Sequence, residues 1–570
     1  MTSEQPASHG GARAVAAAQR HGAETMFTLS GGHVFPLYDG AVKADPPMRI
    51  VDVRHEQTAV FAAEATARLS LTPGLAVLTA GPGVTNGVSA ITTAHFNGSP
   101  LVVLGGRAPD YRWGSGSLQE IDHPALLQTI TKRAWTEHVT ARIGPAVDEA
   151  FRLAAARHRG PVFLDVSLEA LFGPAEAGLA TDWGTPDRDR EDPQELLDPA
   201  AVDAIAGLLA QARQPVLVLG SDVWLDGAHQ EARAAAEELR LPVIANGQGR
   251  GILPAGHELL VSRARPVALG QADLVIVVGT PLDFRLGYGE FGGKNGAPPA
   301  QVVHVADAPA QIASHRELAA TAAGDLTAFF RQLAGAARPG RAGGTTAGSG
   351  RAAWPWEADW LPRLQAASRQ AIAADAPLLA SEAEPIHPMR IYGELTRLLD
   401  ADAVVIGDGG DFVSYAGKYI EPRRPGGWLD PGPYGCLGTG LGYAIAARIA
   451  RPSAQVVLLL GDGAAGFSLM DADTLVRHRL PVVMICGNNG IWGLEKHPMQ
   501  ALYGYDVAAD LQPECRYDEV VAALGGAGEL VRRPTDIGPA LRRAFASGVP
   551  YLVNIVTDPK ISYPRATTGV

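Results

Sequence analysis

Ten short apolar runs, mostly rich in Val and Ile and bounded by Gly or Pro, recur along this 570-residue chain: 75–79, 101–104, 162–166, 216–219, 274–278, 302–305, 403–406, 456–460, 482–486 and 552–556. Each has the length and composition of a strand buried on both faces. Between many of them lie Ala-, Leu- and Arg-rich stretches with helical spacing, such as 146–157 and 230–240. Strands alternating with helices imply parallel sheets covered on both sides, because a parallel crossover needs a long connection and a helix supplies it. The expectation is an α/β chain throughout.

Two seams divide it. Residues 173–200 lose periodicity and concentrate Asp, Glu, Gly and Pro, and residues 334–353 are rich in Gly, Ala and Ser, as a flexible connector would be. That leaves three doubly wound parallel-sheet units of comparable size, and no short-period repeat of the solenoid kind. Charge and cysteine content narrow the class of function. With 60 acidic against 48 basic residues and a net charge of −12, and without a long Lys/Arg run, binding to nucleic acid is not expected. Cys436, Cys486 and Cys515 are too few and too scattered for a disulfide framework or a Cys-based zinc site. Residues 1–11 lack a basic region followed by an apolar core, and no window approaches 18 uninterrupted apolar residues. The expectation is a soluble cytoplasmic protein with no membrane contact.

The most informative motif lies near the C-terminus. The run 456–460 leads into Gly461-Asp462-Gly463-Ala464, and after twenty-four residues between Gly463 and Asn488, which include the run 482–486, comes Asn488-Asn489. An acid at the end of one parallel strand and an amide at the end of another can converge at the carboxyl edge of a sheet, where such sheets bind ligands. One carboxylate, one amide oxygen and a nearby backbone carbonyl suit Mg²⁺, and the glycines let backbone N–H groups approach a diphosphate.

At this spacing the segment resembles the thiamine-diphosphate (ThDP) binding motif. The resemblance implies Asp462, Asn489 and the backbone of Ile491 as metal ligands, with Gly461, Gly463, Ala464 and Trp492 beside the cofactor. The N-terminal third carries Arg54-His55-Glu56-Gln57 and then Leu78-Thr79-Ala80-Gly81-Pro82-Gly83-Val84-Thr85-Asn86. This is similar to the acetolactate synthase superfamily pattern, and implies that Glu56 hydrogen-bonds the cofactor's aminopyrimidine N1′, with Pro82 and Asn86 alongside. The run Tyr434-Gly435-Cys436-Leu437-Gly438-Thr439-Gly440 resembles the family segment that offers a carbonyl to the exocyclic amine and a bulky apolar wedge, which makes those Gly435 and Leu437. The resemblance implies a pyrimidine-binding unit at 1–175, a central nucleotide-binding-like unit at 195–335, a linker at 336–353, a diphosphate- and Mg²⁺-binding unit at 354–556, and a tail at 557–570 as a candidate lid. The family pairs Glu56 with Asp462 across subunits, which implies a homodimer at minimum; a homotetramer is common.

In relatives the central unit binds FAD or ADP. Arg159, Arg285 and Asp307 are candidate contacts, or else surface ion pairs around a degenerate domain; a GxGxxG fingerprint is lacking. After Asn489 the chain reads Gly490-Ile491-Trp492-Gly493-Leu494-Glu495-Lys496-His497-Pro498, with Glu495 where acetolactate synthases carry Val and Pro498 where they carry Trp. A carboxyl desolvated there would have its pKa raised and could transfer protons near neutral pH. The 462–470 run DGAAGFSLM, with Asp471, resembles oxalyl-CoA decarboxylases and 2-hydroxyacyl-CoA lyases. His33, in Ser30-Gly31-Gly32-His33, stands either as a proton shuttle or as plain packing, and Gln119 aligns with a family Gln or Glu near substrate. These segments resemble a bacterial 2-hydroxyacyl-CoA lyase, expected to cleave the C1–C2 bond of its acyl-CoA substrate to formyl-CoA and an aldehyde or ketone. The alternatives are carboligation of 2-oxoacids as in acetolactate synthase, or a non-catalytic scaffold.

Overall fold

The computed structural model describes residues 8–175, 197–337 and 353–563. Within them lie three parallel sheets. The first holds β1 (Thr25–Thr28), β2 (Arg49–Asp52), β3 (Gly74–Leu78), β4 (Leu101–Arg107), β5 (Arg133–Glu137) and β6 (Pro161–Ser167). The second holds β7 (Pro215–Leu219), β8 (Val243–Ala245), β9 (Leu274–Val278), β10 (Gln301–Ala306) and β11 (Ala320–Ala323). The third holds β12 (Val404–Asp408), β13 (Trp428–Leu429), β14 (Val456–Gly461), β15 (Val483–Asn488), β16 (Ala527–Val531) and β17 (Tyr551–Val556).

All ten apolar runs form strands, and β3, β4, β7, β9 and β12 are buried along their whole length. Seven further strands were not expected. Six of them, β2, β5, β8, β11, β13 and β16, are the two edges of each sheet. Edge strands are covered on fewer sides, so they need fewer apolar residues: β5 and β16 each have one fully buried residue, and β13 is two residues long. The seventh, β1, is a four-residue segment with a Thr at each end.

The first and third sheets wind identically. Their orders, β2-β1-β3-β4-β6-β5 and β13-β12-β14-β15-β17-β16, place the reversal of winding between β1 and β3 and between β12 and β14. Ligands of doubly wound sheets bind at the carboxyl ends flanking that reversal. The central sheet, β11-β10-β9-β7-β8, reverses between β7 and β9.

The N- and C-terminal units are welded within one chain. Helix Glu56–Ser70 packs on helix Thr439–Ala450, and a Cβ at Gly442 would lie 2.7 Å from Phe61 Cβ and 2.9 Å from the Thr58 carbonyl. Only a glycine permits that approach. Between the helices the fully buried Glu64 accepts hydrogen bonds from Tyr443 Oη (2.8 Å), Asn97 Nδ2 (2.7 Å) and Ser99 Oγ (3.1 Å), with Arg68 at 3.6 Å. Asp471 accepts from Thr58 Oγ1 (2.6 Å) and the Arg54 amide (2.7 Å). A buried acid is tolerated here because its lone pairs are filled.

The expected seams fall largely at 176–196 and 338–352, outside the described residues. Of the tail, residues 557–563 run along the C-terminal unit. Asp558 donates its amide to the Ile386 carbonyl at 2.9 Å, and Tyr563 meets Tyr415 edge-on at 4.9 Å. Residues 564–570 lie outside the described part.

Candidate active site

The carboxyl ends of β14 and β15 bring Asp462 and Asn489 together, as the sequence reading expects. Asp462 opens the helix Asp462–Ser468 and is 3% exposed. It accepts hydrogen bonds from the amides of Gly490 (2.6 Å) and Gly463 (3.0 Å). Gly490 turns back with φ +70, which an L side chain would strain. Burial pushes Asp462 up to about 6, against the backbone amides that pull it down. Among the described residues no Lys, Arg or His forms an ion pair with it. The result is a desolvated carboxylate that the protein itself leaves without a cation. Asn489 Oδ1 accepts from the Ile491 amide at 3.2 Å.

A pocket opens over these groups, lined by Gly461, Asp462, Gly463, Ala464, Asn489, Ile491 and Trp492, with Leu437, Glu495 and the turn Gly409-Gly410-Asp411. Trp492 closes one side; a Cβ at Gly463 would sit 2.5 Å from its ring. The turn opposite is set by Asp408, a residue the motif reading missed. Fully buried at the end of β12, Asp408 accepts from the amides of Gly438 (3.1 Å) and Gly440 (2.9 Å) and so fixes the segment carrying Gly435 and Leu437. Burial pushes it up to about 7. Its signal was available: an acid followed by Gly-Gly at the end of an apolar run, the arrangement that drew attention to Asp462.

Glu495 lines the pocket but stands exposed on the first turn of helix Gly493–Tyr503. Within this chain that turn faces outward, and none of the described residues of the N-terminal unit lines the pocket beside it. Beside Asn489 and Ile491 a second cavity of about 590 Å³ is bordered by Lys496, His497, Gln500, Asp510, Pro559 and Lys560. Lys496 is tied to Asp510 and to Asp506 (3.3 Å).

The other expected residues gather on the N-terminal unit. Glu56, 7% exposed at the start of its helix, accepts from Asn86 Nδ2 at 3.0 Å, which joins the two halves of that motif. Pro82 opens the short helix Pro82–Thr85. His33 meets Thr79 Oγ1 at 3.1 Å, and burial, with the field of His123, lowers its pKa, so the ring is neutral at neutral pH. Gln119 abuts the glycine turn: Gly81 has φ +62, and a Cβ there would lie 2.7 Å from Gln119 Cβ. His33, Thr79, Gly81 and Gln119 thus meet at the reversal between β1 and β3, whereas Asp462 sits at the matching place in the third sheet. None of the N-terminal residues lines the Asp462 pocket.

His123 was also missed. It is fully buried, its Nε2 accepts from the Gly81 amide at 2.9 Å, and its Nδ1 faces Asp165, which holds Arg107 at 3.0 Å. The amide fixes the tautomer, with the proton on Nδ1. Replacing His123 by Ala leaves the Gly81 amide without its acceptor and Asp165 with Arg107 alone, and should lower the unfolding free energy by about 2 kcal/mol. His123→Gln, which keeps an acceptor, should lose less; urea titration of the three proteins checks this.

Arg159 of the N-terminal unit and Asp307 of the central unit approach each other at 3.9 Å. Arg285 is elsewhere, chelated by Asp283 at 2.7–3.1 Å.

Matched strand-reversal sites on two identically wound sheets, one with a buried carboxylate in a glycine cradle, mark an α/β chain with a ligand crevice at the strand ends of its third sheet. Family models agree: the N-terminal TPP binding domain of thiamine pyrophosphate enzymes matches residues 9–126, the central domain 202–333, and the C-terminal TPP binding domain 408–555. The chain belongs to the thiamine pyrophosphate enzymes. It is 49% identical over 546 residues to the acetolactate synthase large subunit of Mycobacterium tuberculosis and to a probable acetolactate synthase of Mycobacterium bovis, covering 95% of both chains in each case. It is 32% identical over 588 residues to human 2-hydroxyacyl-CoA lyase 2, covering 96% of this chain and 90% of that one.

Proposed function

We propose that this chain is a ThDP- and Mg²⁺-dependent carboligase that joins two 2-oxoacids, as an acetolactate synthase does. The observation that carries this reading is the 49% identity across 95% of both chains to proteins of that name, against 32% to a 2-hydroxyacyl-CoA lyase. It reverses the order of preference expected from segments 462–471 and 491–498.

The residues present fit the cofactor and its metal. Asp462, Asn489 and the Ile491 backbone offer a hard, all-oxygen donor set, and Asp462 is a buried carboxylate short of a cation. When bound, ThDP supplies the electron sink that makes bond formation beside a carbonyl feasible. The protein's part is binding, orientation and proton placement. Leu437 and Trp492 wall the pocket, Gly435 offers its carbonyl, and Glu56 holds the proton at the aminopyrimidine N1′. No residue of the N-terminal unit lines the Asp462 pocket, so Glu56 from a second copy completes it; the working unit is a homodimer, or a tetramer built from two. Among the described residues no helix is long and apolar enough to cross a membrane, and all three cysteines are unpaired, which supports a cytoplasmic setting.

One observation favours the lyase as a second reading. Glu495, an ionisable group, stands at the pocket wall, and the neighbouring cavity of about 590 Å³ has room for a substrate much larger than pyruvate. In that reading Glu495, assisted by His33, moves the proton at the hydroxyl, Gln119 stands near the substrate, and the tail that borders the cavity covers an acyl-CoA. The deciding experiment incubates the protein with ThDP and Mg²⁺, with pyruvate in one arm and 2-hydroxyacyl-CoA thioesters in the other. Acetolactate from pyruvate is expected. Formyl-CoA from the thioesters without acetolactate would replace the proposal with the lyase, and turnover in neither arm would favour a scaffold.

A further inference from the structure

The central sheet has its own ligand crevice, at the reversal between β7 and β9, where a dinucleotide diphosphate would lie across the strand ends. Here that crevice is closed from below and filled from the side. From below, the two strand-end turns are zipped together. The Asp222 amide donates to the Gly279 carbonyl at 3.0 Å, and Asn246 Nδ2 donates to Thr280 Oγ1 at 3.1 Å. A Cβ at Gly220 would lie 2.2 Å from the Gly279 carbonyl oxygen. The Asp222 amide, one of the strand-end amides that could face a phosphate in an open crevice, is thus committed to a protein acceptor.

From the side, residues 157–159 of the N-terminal unit enter the space. His158 Nδ1 bonds Asp307 at 2.9 Å, Arg159 reaches Asp226 at 2.9 Å, and Arg157 spans Asp226 (2.8 Å) and Asp325 (2.9 Å). Asp222 and Asp307, 8% and 1% exposed, point carboxylates into the same volume; the ligand atoms of His158, Asp222 and Asp307 all lie within 4.8 Å of one another. Further along the edge Arg285 is held by Asp283 (2.7 Å), Arg265 donates to the Arg285 carbonyl (2.6 Å) and Arg250 to the Gly417 carbonyl (2.8 Å), while Nη1 of Arg159 and of Arg250 is buried without a hydrogen-bond partner among the described residues.

We infer that this crevice is a closed ion-pair joint between the N-terminal and central units, and that the protein carries neither FAD nor ADP there. A nucleotide diphosphate would have to displace Arg159 from Asp226, part the hydrogen-bonded turns, and lie against two carboxylates in a desolvated space, where like charges repel most strongly. The joint is already crowded with negative charge. Burial and the neighbouring Asp307 push Asp222 up to about 7, and a further anion would work against both groups. His158 has its pKa raised, because its bond to Asp307 and the field of Asp222 outweigh the effect of burial. The residues do not fit the nucleotide that relatives of this fold hold, and a joint is the use that the same side chains support.

The test uses the purified full-length protein with ThDP and Mg²⁺ bound. After acid release, chromatography with mass detection should find neither FAD nor an adenine nucleotide at any appreciable fraction of the chain. Calorimetric titration with ADP and with FAD should show no saturable binding up to roughly 1 mM, the weak end of the affinity scale. About one nucleotide per chain, or saturable binding at micromolar ligand, overturns the inference. A second arm addresses the joint. His158→Gln and Asp307→Asn should each lower the melting temperature, and ADP should not restore it. Variants as stable as the parent, or a melting temperature of the parent raised by ADP, would equally overturn it. Loss of this inference would leave the carboligase proposal intact, since that is decided by product identity.

Discussion

Glu56→Gln should lower turnover by roughly 10²–10⁴-fold, the range expected when a positioned proton-holding group is removed. The substitution is nearly isosteric, and an amide oxygen still accepts from Asn86 Nδ2, now at 3.0 Å from the carboxylate. Helix Glu56–Ser70 keeps its cap as well, since His55 rather than Glu56 accepts from the Gln57 amide at 3.2 Å. The melting temperature should therefore stay close to that of the parent while turnover collapses. Steady-state kinetics at saturating ThDP and Mg²⁺, beside a thermal melt, separates the two effects. A variant within a few-fold of parental turnover would remove Glu56 from the chemistry. A variant that loses activity only through lower cofactor affinity would assign it to binding alone. Because Glu56 lies away from the Asp462 pocket of its own chain, mixing Glu56→Gln chains with Asp462→Ala chains offers an independent check. A heterodimer with one intact pair of residues should recover part of the activity that each variant lacks alone.

The parts of this site that were legible in the sequence are those where backbone geometry dictates residue type. Asp462 and Asn489 end consecutive buried strands, so apolar runs announce their position and glycines announce the turn. Glu56 was legible through its flanking motif. Edge strands were not, because β5 and β16 have too little buried surface to impose an apolar run. Asp408 repeats the strand-end acid and glycine turn of Asp462, but its work of accepting the amides of Gly438 and Gly440, distant in sequence, leaves no mark; His123, which accepts the Gly81 amide, has no flanking signal at all. Glu495 is a mixed case: its offset from Asn489 places it at the pocket, but burial depends on what packs above it, which spacing does not encode. Asp222, another acid just after a buried strand, lies beside His158 and Asp307, whereas Asp462 forms no ion pair among the described residues.

That contrast sets the expected behaviour of Asp462→Ala. In the parent, ThDP and Mg²⁺ bind the folded state only, so at about 100 times their dissociation constant they should stabilise it by about 2.7 kcal/mol. Asp462→Ala should abolish that gain and the turnover with it, since the amide of Asn489 and a backbone carbonyl are neutral and hold a hard dication poorly without a carboxylate. Without cofactor and metal the sign changes. Asp462 is then a buried carboxylate, pushed up to about 6, whose removal relieves a desolvated charge at the cost of two backbone hydrogen bonds. The apo variant should melt at or slightly above the apo parent, while the variant given ThDP and Mg²⁺ melts well below the loaded parent. Four thermal melts, two proteins with and without ThDP and Mg²⁺, test both statements. If the apo variant were strongly destabilised, Asp462 would be a structural cap of the Gly463 and Gly490 amides. If the loaded variant kept the full rise in melting temperature, the diphosphate and metal would be held by other residues.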